Sequence, residues 1–185
     1  MAGCRRLAAR VHGCYHPRMA AATGLPLLDD EGAAFVQGGV SIVAASRAAA
    51  LVPSIGRAAG CIVAADRRRV TVFVAASQAP ELVADLRACG RIAVVFSRPS
   101  THRTLQLKGD DAVVRPPAAG EAAIPGRYAG AFAEDIGRLG HTAAQARTLV
   151  ACVDGDLVAI DFTPNAAFEQ TPGPNAGTPL PPRSR

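Results

Sequence analysis

From Val40 to Arg115 the chain passes through short apolar, β-branched runs joined by connections of only a few residues, with one helical period among them. Parallel strands need crossovers of a dozen or more residues, so connections this short dictate antiparallel pairing. Val40–Ala45 (V-S-I-V-A-A) reads as the first strand and Ser46–Ala49 as a turn. The run Leu51–Ala59 resumes, but Pro53 and Gly56 restrict it to an edge or a sharply bent strand. Cys61–Ala65 is a third run, and Asp66-Arg67-Arg68-Arg69 is a charged turn before a fourth, Val70–Ala75. Arg91–Ser97 reads as a buried strand, and Ala112–Arg115 extends the ladder until Pro116-Pro117 breaks it. Asp154-Gly155 is a hairpin signal, after which Leu157–Phe162 closes the ladder. The expected fold is mainly β: a small antiparallel barrel with peripheral helices.

The helical period falls at Pro80–Cys89, where Leu82, Val83 and Leu86 recur at helical spacing and should face inward. Ser77 is placed to cap the start, Pro80 suits the first turn, and Gly90 ends it. Two further helices are expected. One is short, with acids at Asp29, Asp30 and Glu31 and a stop at Gly38-Gly39. The other runs from Tyr128 to Leu139, with Tyr128, Phe132, Ile136 and Leu139 on its apolar side and Glu134, Asp135 and Arg138 on its polar side.

Pro99 to Gly109 (P-S-T-H-R-T-L-Q-L-K-G) joins a polar, cation-bearing turn to an alternating strand. Thr101, His102, Arg103 and Thr104 put donors and a fixed charge side by side, and Thr104, Gln106 and Lys108 then alternate with Leu105 and Leu107. Such a corner can hold an anion, or it can be a hairpin with solvated tips. His102 and His141 are the histidines with room for acid–base work near neutral pH, although His141 follows Gly140 at a helix end, where it would face water.

Aromatic residues make up only 4% of the chain, so the core has to be built from Val, Leu, Ile and Ala. The net charge of +5 comes from Arg scattered through an Ala-rich sequence, without aromatic interleaving or a basic helix face, which argues against nucleic acid. No uninterrupted apolar run reaches the length of a membrane span, so no membrane partner is expected. Five widely spaced cysteines without a C-x-x-C pair support neither a disulfide framework nor a zinc knuckle, which suits a cytoplasmic protein. His12, Cys14 and His16 alternate in H-G-C-Y-H, yet such a cluster in a Gly-containing arm reads as chance, and no metal is expected. The acid-free, Arg-bearing residues 1–27 read as a disordered or over-predicted N-terminal arm, residues 28–171 as one domain, and residues 172–185 as a Pro/Gly-rich tail.

Several strings, in this order and spacing, resemble a known family: V-S-I-V-A-A-S, P-S-I-G-R-A-A-G, V-T-V-F-V-A-A-S, the helix P-E-L-V-A-D-L-R-A-C-G-R-I-A-V-V-F, T-H-R-T-L-Q-L-K-G and the closing F-T-P-N-A-A-F-E-Q-T-P-G-P. From about Val40 to Asn175 the chain is similar to the pyridoxamine 5'-phosphate oxidase-like, FMN-binding split-barrel superfamily, as a divergent member. The resemblance implies a split barrel, a homodimer, and FMN in a groove between subunits with its phosphate held by basic and hydroxyl side chains. Arg57 matches the second-strand arginine that meets the phosphate. Ala76 stands where the family has Thr, with Ser77 beside it as a substitute, and Pro80-Glu81-Leu82 stands where the family has Ser-x-Lys, so the phosphate-binding lysine is absent. A flavin-contacting Gln falls on Thr104. Arg57, Ser77, Thr101, His102, Arg103 and Thr104 are therefore the candidate cofactor-binding residues; no catalytic residue is singled out. Two function classes follow: a flavin-dependent oxidoreductase acting on an unidentified small molecule, or a non-catalytic split-barrel module with a weak, different or absent flavin or haem ligand.

Overall fold

The computed structural model describes residues 25–152 and 155–182. The arm at residues 1–24, the His12–Cys14–His16 set, Cys4, the Asp154 half of the turn signal and residues 183–185 lie outside the described residues.

Among the described residues four helices, α1 (Asp30–Val36), α2 (Pro80–Cys89), α3 (Ile124–Gly137) and α4 (Ala143–Leu149), accompany eight strands. The strands are β1 (Ser41–Arg47), β2 (Pro53–Val63), β3 (Val70–Ala75), β4 (Ile92–Ser97), β5 (Thr104–Gly109), β6 (Val113–Arg115), β7 (Leu157–Phe162) and β8 (Ala166–Glu169). They form one ladder in the order β6-β7-β3-β2-β1-β4-β5-β8, and every neighbouring pair is antiparallel. The mainly β reading with peripheral helices holds. The ladder is open, however, because its end strands β6 and β8 do not pair with each other.

The short connections act as the sequence requires, and one inner layer of apolar side chains closes the core: Ile42, Leu82, Leu86, Phe96, Leu107 and Ile160 are fully buried. Helix α2 lays Leu82, Val83 and Leu86 into this layer, as its spacing predicts. It ends at Gly90, whose φ of 64° is the left-handed turn that glycine tolerates best. Its N-cap is Ala79 rather than Ser77, which instead sits in a short 3-10 turn after β3. Strand β3 is buried along its whole length. One of its faces meets the main core, and the other carries Phe73, which packs with Ile124 of α3 and Ala159.

The edge-strand reading of Leu51–Ala59 is overturned. That run and Cys61–Ala65 belong to one eleven-residue strand, β2, which lies inside the ladder between β1 and β3. Pro53 sits at its first position, where its missing N–H costs least. Gly56 is there for closeness, since a Cβ would come within 2.6 Å of the Ala79 Cβ and 2.9 Å of Leu82. The apparent break between the two runs is a bulge between Ala58 and Cys61, where Gly60 adopts φ 145° beneath Ile124.

Two readings of the α3 region are also corrected. Helix α3 starts at Ile124 and buries Ile124, Tyr128, Phe132 and Ile136, but Leu139 lies beyond it and is exposed, whereas Asp135 is buried. Helix α4 was not expected. A reciprocal capping box starts it: the Gln145 N–H donates to the Thr142 hydroxyl, and the Thr142 N–H donates to the Gln145 side chain.

A half-buried charge cluster fastens β6 to β7. Arg115 donates to Asp161 at 2.7 and 3.0 Å and to Glu121 at 2.7 and 2.9 Å, and the Thr71 hydroxyl donates to Asp161 at 2.8 Å. The Arg115 hydrogen bonds hold the Glu121 carboxyl below its ordinary value of 4.5. A depressed carboxyl stabilises the fold above the unfolded value, and that contribution is lost as pH falls through the folded value. Melting temperatures of wild type and Glu121→Gln are therefore expected to differ near neutral pH and to converge as acidification protonates Glu121 in the folded chain. A constant gap across that range would contradict the assignment.

Candidate functional site

Strands β2, β1, β4 and β5 alternate buried and half-exposed residues, so their outer face is open. The register sets that face in rows. Ser41, Ser97 and Thr104 form one row; Arg57, Val43, Val95 and Gln106 form the next; Ile55, Ala45, Ala93 and Lys108 form the third. Side chains at directly paired positions share a face, so Arg57 stands on a nearly flat floor of small aliphatic residues.

Arg57 is exposed and donates from Nη1 to the Ser41 hydroxyl at 3.1 Å. It also lies close to Tyr128 of α3, whose hydroxyl is buried without a hydrogen-bond partner. Burial pushes the Tyr128 phenol up to about 12, against the opposing pull of the Arg57 guanidinium. No carboxylate pairs with Arg57 among the described residues. It is a fixed cation with only neutral neighbours.

Ser77 is placed differently. Its N–H donates to Asp156 Oδ1 at 2.9 Å and its hydroxyl to Asp156 Oδ2 at 2.6 Å, so one carboxylate takes both donors. The Ala76 N–H meanwhile donates to the Asp156 carbonyl at 2.9 Å, which fixes the turn on the strand entering β7. An anion of the protein's own therefore already sits on the hydroxyl that the resemblance offers to a phosphate.

The corner after β4 is also committed. Ser100 donates from its N–H (3.1 Å) and hydroxyl (2.6 Å) to Asp135, which explains the burial of that acid in α3. Arg103 pairs with Glu31 at 2.7 Å, and its guanidinium lies 4.6 Å from the Phe35 ring centroid, with Arg98 5.2 Å from the same ring. The Thr104 hydroxyl is hydrogen-bonded to that of Ser97 at 2.8 Å. His102 is exposed at φ 60°, and Thr101 is exposed. The strand that follows alternates as expected, with Leu105 and Leu107 buried and Lys108 exposed. The corner thus docks onto α1 and α3. No hydrogen bond or ion pair joins Ser77 to Arg57 or either of them to Thr101, His102 or Arg103, and the hydroxyl row Ser41–Ser97–Thr104 runs from the Arg57 neighbourhood to the corner.

Other reactive groups are muted. The Cys61 thiol is buried and its ionisation is pushed far up, and Cys152 is raised by burial and by the nearby Asp156. Thiolate chemistry needs a lowered value, so neither is an activated nucleophile. His141 is exposed. Among the described residues no group of three or more His, Cys, Asp or Glu side chains is arranged to hold a metal ion, and no helix is long and apolar enough to cross a membrane.

An open antiparallel ladder with one helix between its third and fourth strands is a mainly β fold with peripheral helices. Likeness to solved structures shows the fold of this chain and nothing finer. No family model matches the chain and no curated protein matches its sequence. Among solved structures it is similar to HupZ of Group A Streptococcus, with 15% identity, a TM-score of 0.50, and coverage of 81% of this chain and 99% of that one. It is also similar to a putative pyridoxamine 5'-phosphate oxidase of Lactobacillus delbrueckii (12% identity, TM-score 0.45, 76% and 93% covered). A related FMN-binding protein of Nostoc punctiforme matches at 11% identity and TM-score 0.41, with 74% and 77% covered.

Proposed function

We propose that this protein binds FMN and acts as a flavin-dependent oxidoreductase on a small molecule, as a homodimer. The observation that carries this reading is Arg57, a guanidinium exposed on the open sheet face with no acid to neutralise it. When bound, FMN supplies the hydride or electron chemistry, and the protein supplies position and charge. Arg57 fits the role of phosphate anchor. Val43 and Val95 offer an apolar floor beside it, and a second copy laid on this face would exclude water from the groove.

Fit is partial at the other candidates. Ser77 meets a phosphate only once Asp156 has given way, and Arg103 only by leaving Glu31. This favours a second reading, a binding module with weak affinity for the phosphate. Binding experiments separate the two. Arg57→Ala is expected to weaken FMN about tenfold, the worth of one charge-assisted contact, with riboflavin affinity and the melting temperature of the unliganded protein nearly unchanged. Asp156→Asn, which removes a charge and keeps an acceptor for Ser77, is expected to tighten FMN by about fivefold and leave riboflavin unaffected. Equal FMN affinity in wild type and Arg57→Ala refutes the anchor, and a chain that binds neither flavin refutes the function.

The dimer is supported by the same face. Its half-exposed aliphatic residues run on to a hairpin tip where Leu51, Val52 and Ile55 are 67%, 61% and 70% exposed. Contiguous apolar exposure of this kind marks an interaction surface. Light scattering is expected to give twice the chain mass at micromolar concentration; a monomer there would remove this element.

A further inference from the structure

The outer sheet face has a second end, away from Arg57. There a cleft of about 530 Å³ is lined by Ala45 and Arg47 of β1, Arg91 and Ala93 around the start of β4, Lys108 of β5, and Asp110. Its volume falls within the roughly 300–1,000 Å³ of small-molecule sites.

Three cations line it: Arg47 of β1, Arg91 just before β4, and Lys108 of β5. Among the described residues none of them is paired with a carboxylate. Arg47 makes only a long 3.4 Å bond to the Ala48 carbonyl. The Lys108 ammonium rests 4.8 Å from the centroid of the Phe168 ring, a contact that orients it without neutralising it. The single acid in the lining, Asp110, is exposed and leaves the cleft with a net charge of +2. Like charges gathered at one concavity repel, and a bound anion relieves that repulsion. The floor between them, Ala45 and Ala93, is paired in register and too small to fill the space above it.

We infer that this cleft is a binding site for a phosphate monoester or similar dianion whose flat apolar body lies on Ala45 and Ala93. The two guanidiniums match the bidentate geometry of phosphate oxygens, and Lys108 adds a point charge. The site is distinct from the Arg57 end: Val43, paired with Arg57, and Arg47 lie four residues apart on one strand, ~13 Å at the usual strand rise.

Phenyl phosphate is the probe, titrated at low salt by calorimetry against wild type, Arg91→Gln, Lys108→Gln and Arg57→Ala. Wild type is expected to bind it, phenol is expected not to bind, and added salt should weaken the phosphate binding. Arg91→Gln and Lys108→Gln should each weaken it about tenfold, a larger loss than Arg57→Ala produces. The two cleft substitutions lie in different segments of the chain at exposed positions, so the reading does not depend on either one alone. Absence of binding to wild type, equal affinity in the cleft variants, or a loss in Arg57→Ala equal to theirs would overturn the assignment. The flavin reading stands or falls separately, on FMN and Arg57→Ala.

Discussion

Gly39→Ala is expected to destabilise the protein by about 3 kcal/mol, at the upper end of what over-packing costs. A Cβ at position 39 would overlap the carbonyl of Ala131 and crowd the backbone nitrogen of Phe132, both in α3. These are main-chain atoms of a packed helix, so no side chain can swing away. Relief requires α3 to move off the sheet, and Tyr128, Phe132 and Ile136 would leave the core with it. For a chain of this size the loss corresponds to roughly 6–12 °C in melting temperature. Gly130→Ala is the control, because a Cβ there meets nothing within 4 Å and alanine suits a helix better than glycine. If both substitutions change the melting temperature alike, the close approach of α3 to the chain before β1 is wrong.

Arg115→Ala has the second large effect, again about 3 kcal/mol, near the lower end for removing one partner of a buried ion pair because this cluster is only partly buried. The side chains of Glu121 and Asp161 are 16% and 17% exposed and both depend on Arg115. Without it two carboxylates face each other with little water to screen them. The loss should shrink on acidification, since the Glu121 carboxyl, once protonated, no longer needs the cation. Urea melts of Arg115→Ala at neutral pH and near pH 4 measure this; a loss under 1 kcal/mol at both would mean the cluster behaves as an ordinary surface pair.

What the sequence made legible was local. Val70–Ala75 and Pro80–Cys89 form elements with those bounds, because β-branched density and a Pro-to-Gly helical frame are written in consecutive residues. The β4–β5 hairpin and its alternation were readable for the same reason. Strand β2 was not, since Pro53, Gly56 and Gly60 look like breaks until α2 and α3 are laid against them. Helix α4 is seven residues long with one buried side chain, Ala146, and so has no apolar stripe to detect; only the Thr142–Gln145 spacing announced it. At the candidate site, donors were visible but their acceptors were not. Asp156 reaches Ser77 from 79 residues away and Asp135 reaches Ser100 from 35, and nothing near Ser77 or Ser100 signals a carboxylate. Asp135 looked solvent-facing because helical periodicity ranks polarity and cannot know of a partner outside the helix.

The open ladder has ends, and each is closed to newcomers in its own way. After β6 the chain runs directly into Pro116-Pro117, which have no N–H to offer a neighbouring strand. Beside β8 the tail folds back: Phe168 bridges to Pro179, Glu169 exchanges hydrogen bonds with Thr178 and Gly177, and the Leu180 N–H reaches Ala167. A sheet blunted at both margins resists the strand-by-strand growth that turns exposed edges into fibres. Any pairing of molecules would have to use faces, where growth ends once the apolar surface is covered.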